Sequence, residues 1–132
     1  MKISLKTQYA LRAIVALAQH KEETSLSRLA KEENIPQEFL EKIMQTLKKS
    51  KLVRSTRGAN GGYALNRSAK EMTAADIVSA LEKPLSNINC IDNEPSTCPH
   101  EQNCKTQKVW HKVEKKIMET LQEMTIDTLC KK

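Results

Sequence analysis

Lys48-Lys-Ser-Lys-Leu-Val-Arg-Ser-Thr-Arg-Gly-Ala-Asn-Gly-Gly-Tyr-Ala-Leu-Asn-Arg67 decides how the rest of the chain is read. These twenty residues carry six Lys or Arg and no Asp or Glu, whereas the 132-residue chain has a net charge of only +6. All three glycines, Gly58, Gly61 and Gly62, fall inside the stretch. A Gly-punctuated loop between Leu52-Val-Arg-Ser-Thr56 and Tyr63-Ala-Leu65 predicts a two-stranded hairpin whose tip needs backbone conformations closed to side chains. With charge of one sign, that tip reads as a wing that seeks phosphate.

Working back from the wing, Leu26, Leu29 and Ala30 mark one short helix, and Phe39, Ile43 and Leu47 mark a second. Asn34 tolerates a left-handed cap and Pro36 can begin a helix, so Asn34-Ile35-Pro36 is expected to be the turn between them. This is the order of a helix-turn-helix followed by a wing. The second helix offers Gln37, Glu38, Glu41, Lys42 and Gln45 on the face opposite its apolar stripe, where they would meet a DNA major groove. The plainer alternative is a solvated helix face.

Further out, Ser4 or Thr7 is expected to cap a first helix running to about His20, with Tyr9, Ala13, Ile14, Leu17 and Ala18 on its buried side. Ser25 or Ser27 caps the next. Beyond the wing, Thr73-Ala-Ala-Asp76 has the spacing of a capping box ahead of Ile77, Val78, Ala80 and Leu81, and that helix must stop before Pro84. Helical periodicity is lost from Leu85 to Cys104. It returns near Thr106 as Trp110, Val113, Ile117, Leu121 and Met124, a narrow seam suited to a partner helix. About twenty residues of helix spanning roughly 30 Å exceed what a small domain needs for cover, which predicts a homodimer presenting two recognition helices. Ile126, Leu129 and Cys130 form a last amphipathic turn.

The chain is long enough for one compact domain with an appendage. Its aromatics are only Tyr9, Phe39, Tyr63 and Trp110, so the core must be aliphatic and alanine-rich. No apolar run is long enough for a membrane span or an export signal, which predicts a cytoplasmic protein without membrane partners. The expected fold class is mainly α with a small β-hairpin. Its parts are a winged helix-turn-helix DNA-binding domain over 1–83, a cysteine-rich loop over 84–104, and a dimerisation helix with C-terminal turn over 105–132.

Cys90, Cys98 and Cys104 are separated by seven and five residues in a segment that also holds Pro95 and Pro99. Thiolates suit soft metals, and an iron–sulfur cluster can draw ligands from an irregular loop. A zinc knuckle normally shows close C-x-x-C pairs, absent here, although His100 or His111 could complete a Cys3His site. Loop cysteines without metal are the remaining reading, and Cys130 reads as a small buried hydrophobe. No nucleophile, metal-hydrolase or nucleotide-loop spacing is present, so neither enzymatic activity nor a small-molecule substrate is expected.

The opening Met1-Lys-Ile-Ser-Leu-Lys-Thr-Gln-Tyr-Ala-Leu-Arg12, the blocks Phe39-Leu-Glu-Lys-Ile43 and Leu47-Lys-Lys-Ser-Lys-Leu-Val53, the wing Arg57-Gly-Ala-Asn-Gly-Gly-Tyr63 and the cysteine triad together resemble the IscR/NsrR/CymR family of bacterial winged-helix transcription regulators. The resemblance covers essentially the whole chain. It implies a homodimer on double-stranded DNA, with an iron–sulfur cluster, 2Fe–2S or 4Fe–4S, held by Cys90, Cys98 and Cys104. By position it also implies that Glu41 reads bases from the recognition helix and Arg57 enters the minor groove. Arg54 and Asn60 of the same wing are expected to contact DNA as well.

Three positions depart from the family pattern. Members like IscR carry His three residues after the third cysteine, where this chain has Gln107. Members like NsrR carry an acidic residue just before the first-helix Tyr, where this chain has Gln8. The first cysteine interval is seven instead of the usual five. The fourth ligand is therefore open among His111, His100, Glu101 and Gln8. The readings set against the cluster regulator are a zinc- or thiol-stabilised interaction protein and a cluster-free regulator of the same fold.

Overall fold

A computed structural model describes residues 3–57, 61–82 and 104–131. Helix α1 (Leu5–Gln19) begins at Ser4, whose hydroxyl accepts from the Thr7 amide at 3.2 Å. Ala10, Ala13 and Ile14 are fully buried along it. Alanine at two of these positions lets neighbouring helices approach closely, so α1 becomes the axis on which the others pack. Tyr9 and Ala18, expected in the core, are half-buried at its edge.

Helix α2 (Leu26–Glu33) starts at Ser25, which accepts from the Arg28 amide, and ends at Asn34 in the left-handed region (φ 53°, ψ 49°). The Ile35 amide then donates to the Ala30 carbonyl at 2.9 Å, burying Ile35 inside the turn. Helix α3 (Gln37–Lys49) follows Pro36, which brings no amide needing a partner. Its buried face is Leu40, Ile43, Met44 and Leu47. Phe39 lies on the rim, edge-on to Tyr9 with ring centroids 5.6 Å apart. The chain leaves α3 through Lys51, which adopts φ 61° without being glycine. Asn66 ties this bend down by donating to the Lys51 carbonyl at 3.0 Å.

Strands β1 (Val53–Thr56) and β2 (Gly62–Leu65) pair antiparallel, with Val53 opposite Leu65 and Ser55 opposite Tyr63. Alternation puts Val53, Tyr63 and Leu65 toward the core and Arg54 on the other face. Thr24 adds a bridge on the far side of β2, donating to the Tyr63 carbonyl at 3.0 Å and accepting from its amide at 2.8 Å. This corrects the expected role of two glycines. Gly61 and Gly62 do not occupy the left-handed region; a Cβ on Gly61 would strike the Thr56 carbonyl oxygen, and one on Gly62 the Thr24 carbonyl oxygen. Gly58 and Asn60 lie outside the described residues.

Helix α4 (Ala74–Leu81) opens with the expected capping box: the Asp76 amide donates to the Thr73 hydroxyl at 3.3 Å, and the Thr73 amide donates to the Asp76 carboxylate at 2.9 Å. Helix α5 (Gln107–Gln122) has 16 residues, about 24 Å of rise, so it is shorter than expected. Met124 is not on its seam but in the turn after it, where its carbonyl accepts from the Ala74 amide at 2.8 Å. The chain then turns back as α6 (Ile126–Cys130), capped by Thr125. Ile126 is fully buried, and α6 packs on α1. Of the expected amphipathic turn, Ile126 enters the core with Cys130 partly buried against it, whereas Leu129 is 38% exposed. Among the described residues no helix is long and apolar enough to cross a membrane.

Candidate nucleic-acid interface and cysteine site

Helix α3 has two chemically opposite faces. Leu40, Ile43, Met44 and Leu47 are 0% exposed, while Gln37, Glu38, Glu41, Lys42 and Gln45 are all exposed. Among the described residues none of those five side chains makes a hydrogen bond or ion pair within the chain. Their donors and acceptors are left for an external partner. The last turn of α3 adds exposed Lys48 and Lys49, and Lys51 follows at the bend.

The hairpin is held to the helical core at two points. Thr24 supplies the backbone bridge, and the Thr56 hydroxyl donates to the Glu23 carboxylate. Both residues belong to the polar stretch between α1 and α2, whose composition marks it only as a loop. No periodic signal reveals that Thr24 would become a third strand position. Arg54 and Arg57 are exposed on the hairpin.

Cys104 stands two residues before Thr106, the N-cap of α5. Its sulfur lies 3.2 Å from the Thr106 hydroxyl. Hydrogen bonds from the Thr106 side chain and backbone, together with the Gln107 amide, outweigh desolvation and hold the thiol below its ordinary pKa. Unsatisfied amides at a helix start favour a thiolate in this way. A stabilised thiolate is the donor chemistry a soft metal or iron–sulfur cluster requires, so Cys104 fits that role. Cys90 and Cys98 lie outside the described residues, as do His100 and Glu101.

Of the remaining fourth-ligand candidates, His111 is exposed on α5, and the Gln8 amide nitrogen donates to the Ile3 carbonyl at 3.1 Å. Cys130, expected to be buried, is half-buried. Burial pushes its thiol pKa up, and its sulfur points at the Val15 carbonyl.

The cysteine segment leaves α4 directly after Glu82. One Glu82 carboxylate oxygen accepts from the Ser4 amide and from the Thr7 hydroxyl, each at 2.7 Å. Burial opposes ionisation of Glu82, but these hydrogen bonds prevail and its pKa falls below the usual carboxylate value. The end of α4 is thus pinned to the start of α1. Sequence pattern carried no sign of this contact, which joins residues 75 and 78 positions apart.

On α5, Val109 and Trp110 are 51% and 40% exposed, Val113, Ile117 and Leu121 are half-buried, and no residue is fully buried. The helix packs against α4, and its seam of Trp110, Val113, Ile117 and Leu121 stays partly open to solvent.

Comparison with known proteins agrees with this arrangement along the whole chain. The Rrf2 family model, described as an iron-dependent transcriptional regulator, matches residues 3–132. The transcriptional regulator CymR of Bacillus subtilis (strain 168) is 33% identical over 132 residues, covering 98% of this chain and 89% of the relative. The solved structure of CymR, the global cysteine regulator of B. subtilis, superposes with TM-score 0.79 at 32% identity, covering 98% of this chain and 96% of that one. T. potens IscR superposes equally, with TM-score 0.79 at 32% identity, over 99% of this chain and 87% of its own. Helix-turn-helix, hairpin wing and returning C-terminal helix lie within a match that spans the chain, and the relatives are regulators of transcription, not enzymes: the chain belongs to the Rrf2 family of DNA-binding transcriptional regulators.

Proposed function

We propose that the chain acts in the cytoplasm as a homodimer on a palindromic DNA operator, and that its grip depends on an iron–sulfur cluster held by Cys90, Cys98 and Cys104. The observation that carries the DNA reading is α3, whose exposed face keeps five polar side chains unused by the fold. In a major groove Glu41 accepts from a cytosine amino group, while Gln37 and Gln45 pair with adenine edges. Glu38 and Lys42 flank them. Arg54, Arg57 and Asn60 belong to the basic wing, where Arg57 suits the negative potential of a narrow minor groove. The stripe on α5 supports pairing with a second copy, and a two-fold axis would match half-sites one helical turn apart.

For the cluster, Cys104 offers a sulfur at the start of α5 whose ionisation the Thr106 hydrogen bonds favour. When bound, the cluster supplies a ligation and charge state that changes with iron and oxidant. The chain's own contribution is at the two ends of the segment that carries the ligands. Glu82 pins one end to α1, and at the other the Cys104 sulfur lies 3.2 Å from the Thr106 hydroxyl at the start of α5. Ligating the cysteines between these ends would bias how α5, and hence the dimer, sits relative to the winged domain. A cluster-free regulator of the same fold is the second reading, favoured by the likeness to CymR.

Selecting an operator from random DNA tests the first part. The selected site should bind roughly a thousandfold more tightly than random sequence, and Glu41→Ala should relax preference at one base position. A protein indifferent to sequence would refute DNA regulation. An anaerobic visible spectrum with iron and sulfide analysis tests the second part, and a colourless, iron-free protein after reconstitution would favour the cluster-free reading.

A further inference from the structure

Between the hairpin and the end of α1 lies a cavity of about 610 Å³ that neither the groove-reading helix nor the cysteines use. Leu17 and Ala18 of α1 and Leu65 of β2 give it apolar wall, and Lys21, Glu22 and Arg54 give it charge. Among the described residues, Lys21 and Arg54 have no carboxylate within 4.0 Å, and Glu22 has no basic partner. His20 on the same wall is taken up by Glu32 at 2.8 Å, while Glu23 accepts from the Thr56 hydroxyl and keeps its negative charge beside that of Glu22.

Unpaired charges of both signs over apolar wall select against simple ions. A bare anion drawn to Lys21 and Arg54 is repelled by Glu22, and a bare cation meets the opposite problem. A molecule carrying a carboxylate and an ammonium on one carbon satisfies both, and Arg54 can grip the carboxylate with two parallel hydrogen bonds. The space is large enough for a small molecule but open to solvent, so a ligand held there keeps part of its surface in water. We propose that this cavity binds a zwitterion of the α-amino-acid class with an aliphatic side chain. Its carboxylate pairs with Lys21 and Arg54, its ammonium with Glu22, and its side chain covers Leu17, Ala18 and Leu65.

Because Arg54 lies on β1 opposite Ala64, a ligand held there draws positive charge away from the wing. This link to DNA affinity rests on the proposed function, whereas the binding itself does not.

Calorimetric titration of the full chain with L-leucine, isocaproate and isopentylamine separates the cases. L-leucine should bind saturably, with isocaproate and isopentylamine each at least about tenfold weaker, because each lacks one of the two charged groups. Lys21→Ala and Glu22→Gln, both at exposed loop positions, should each weaken L-leucine binding about fivefold with an unchanged circular dichroism spectrum. Isocaproate binding as tightly as L-leucine overturns the zwitterion assignment, and no saturable heat from any probe up to about 10 mM overturns the site. On selected operator DNA, saturating L-leucine should weaken wild-type binding about tenfold, and Lys21→Ala should need about fivefold more L-leucine for the same loss. Binding of L-leucine with unchanged DNA affinity supports the site and overturns its link to the wing.

Discussion

Replacing Gly62 by Ala adds one methyl group where the structure has no room for it. The new Cβ would land on the Thr24 carbonyl oxygen and within 2.9 Å of the Ser25 amide nitrogen. Both are backbone atoms, so no side chain can swing aside. The hairpin must part from residues 24–25, which breaks the Thr24–Tyr63 pair of hydrogen bonds at 3.0 and 2.8 Å. Two such bonds at about 1 kcal/mol each place the loss of stability near 2 kcal/mol. For a domain of this size that lowers Tm by roughly 8 °C. Urea unfolding at matched protein concentration should show the same loss with an unchanged m-value, because the stability of the proposed dimer depends on concentration. Below the transition, where the variant is folded, DNA affinity should still fall about tenfold, since the wing has lost its anchor. A variant within 0.5 kcal/mol of wild type that binds DNA normally would refute the bridge as the device that positions the wing.

Other outcomes follow from single contacts. Glu82 has a folded pKa below its unfolded value, so its contribution to stability is present above the ordinary carboxylate pKa and disappears as pH falls through the depressed one. Urea midpoints of wild type and Glu82→Gln should therefore differ at neutral pH and converge in acid; a gap independent of pH would contradict this. Lys51 holds a left-handed conformation, so Lys51→Gly should raise stability by about 1 kcal/mol in urea melts, and a loss would show that Lys51 pays no conformational penalty. Trp110→Glu places a charge on the exposed stripe of α5 and should yield folded monomers in sedimentation at concentrations where wild type is dimeric. An unchanged dimer would move the interface elsewhere.

The helix-turn-helix was legible because its signals are local. Asn34 caps α2 in the left-handed region, Ser25 and Ser4 cap their helices, and the Thr73–Asp76 box closes as its spacing implies. The exposed face of α3 followed from periodicity alone. What pattern could not supply were contacts between distant segments. Nothing near Thr24 announces a bridge to Tyr63, and nothing near Glu82 announces Ser4 and Thr7. Leu40 and Met44 were missed as core because the stripe was drawn through Phe39, which sits at the edge against Tyr9. The return of Ile126 into the core was hidden for a related reason. A turn at Glu123–Met124 breaks the helix without Gly or Pro, so the periodicity of α5 ran on past its end. At the cysteine site only Cys104 lies among the described residues; the position two residues before a helix cap that favours its thiolate followed from where the long helix begins.

The central claim is that occupation of the cysteine site changes how tightly the paired winged domains hold DNA. Its most direct test is fluorescence anisotropy on the selected operator, comparing anaerobically reconstituted protein with the same preparation after iron chelation. The account predicts operator affinities differing by at least about tenfold between the two forms, a difference that vanishes when Cys104 is replaced by Ala. Equal affinity with and without iron, in a protein that demonstrably carries the cluster, would contradict it.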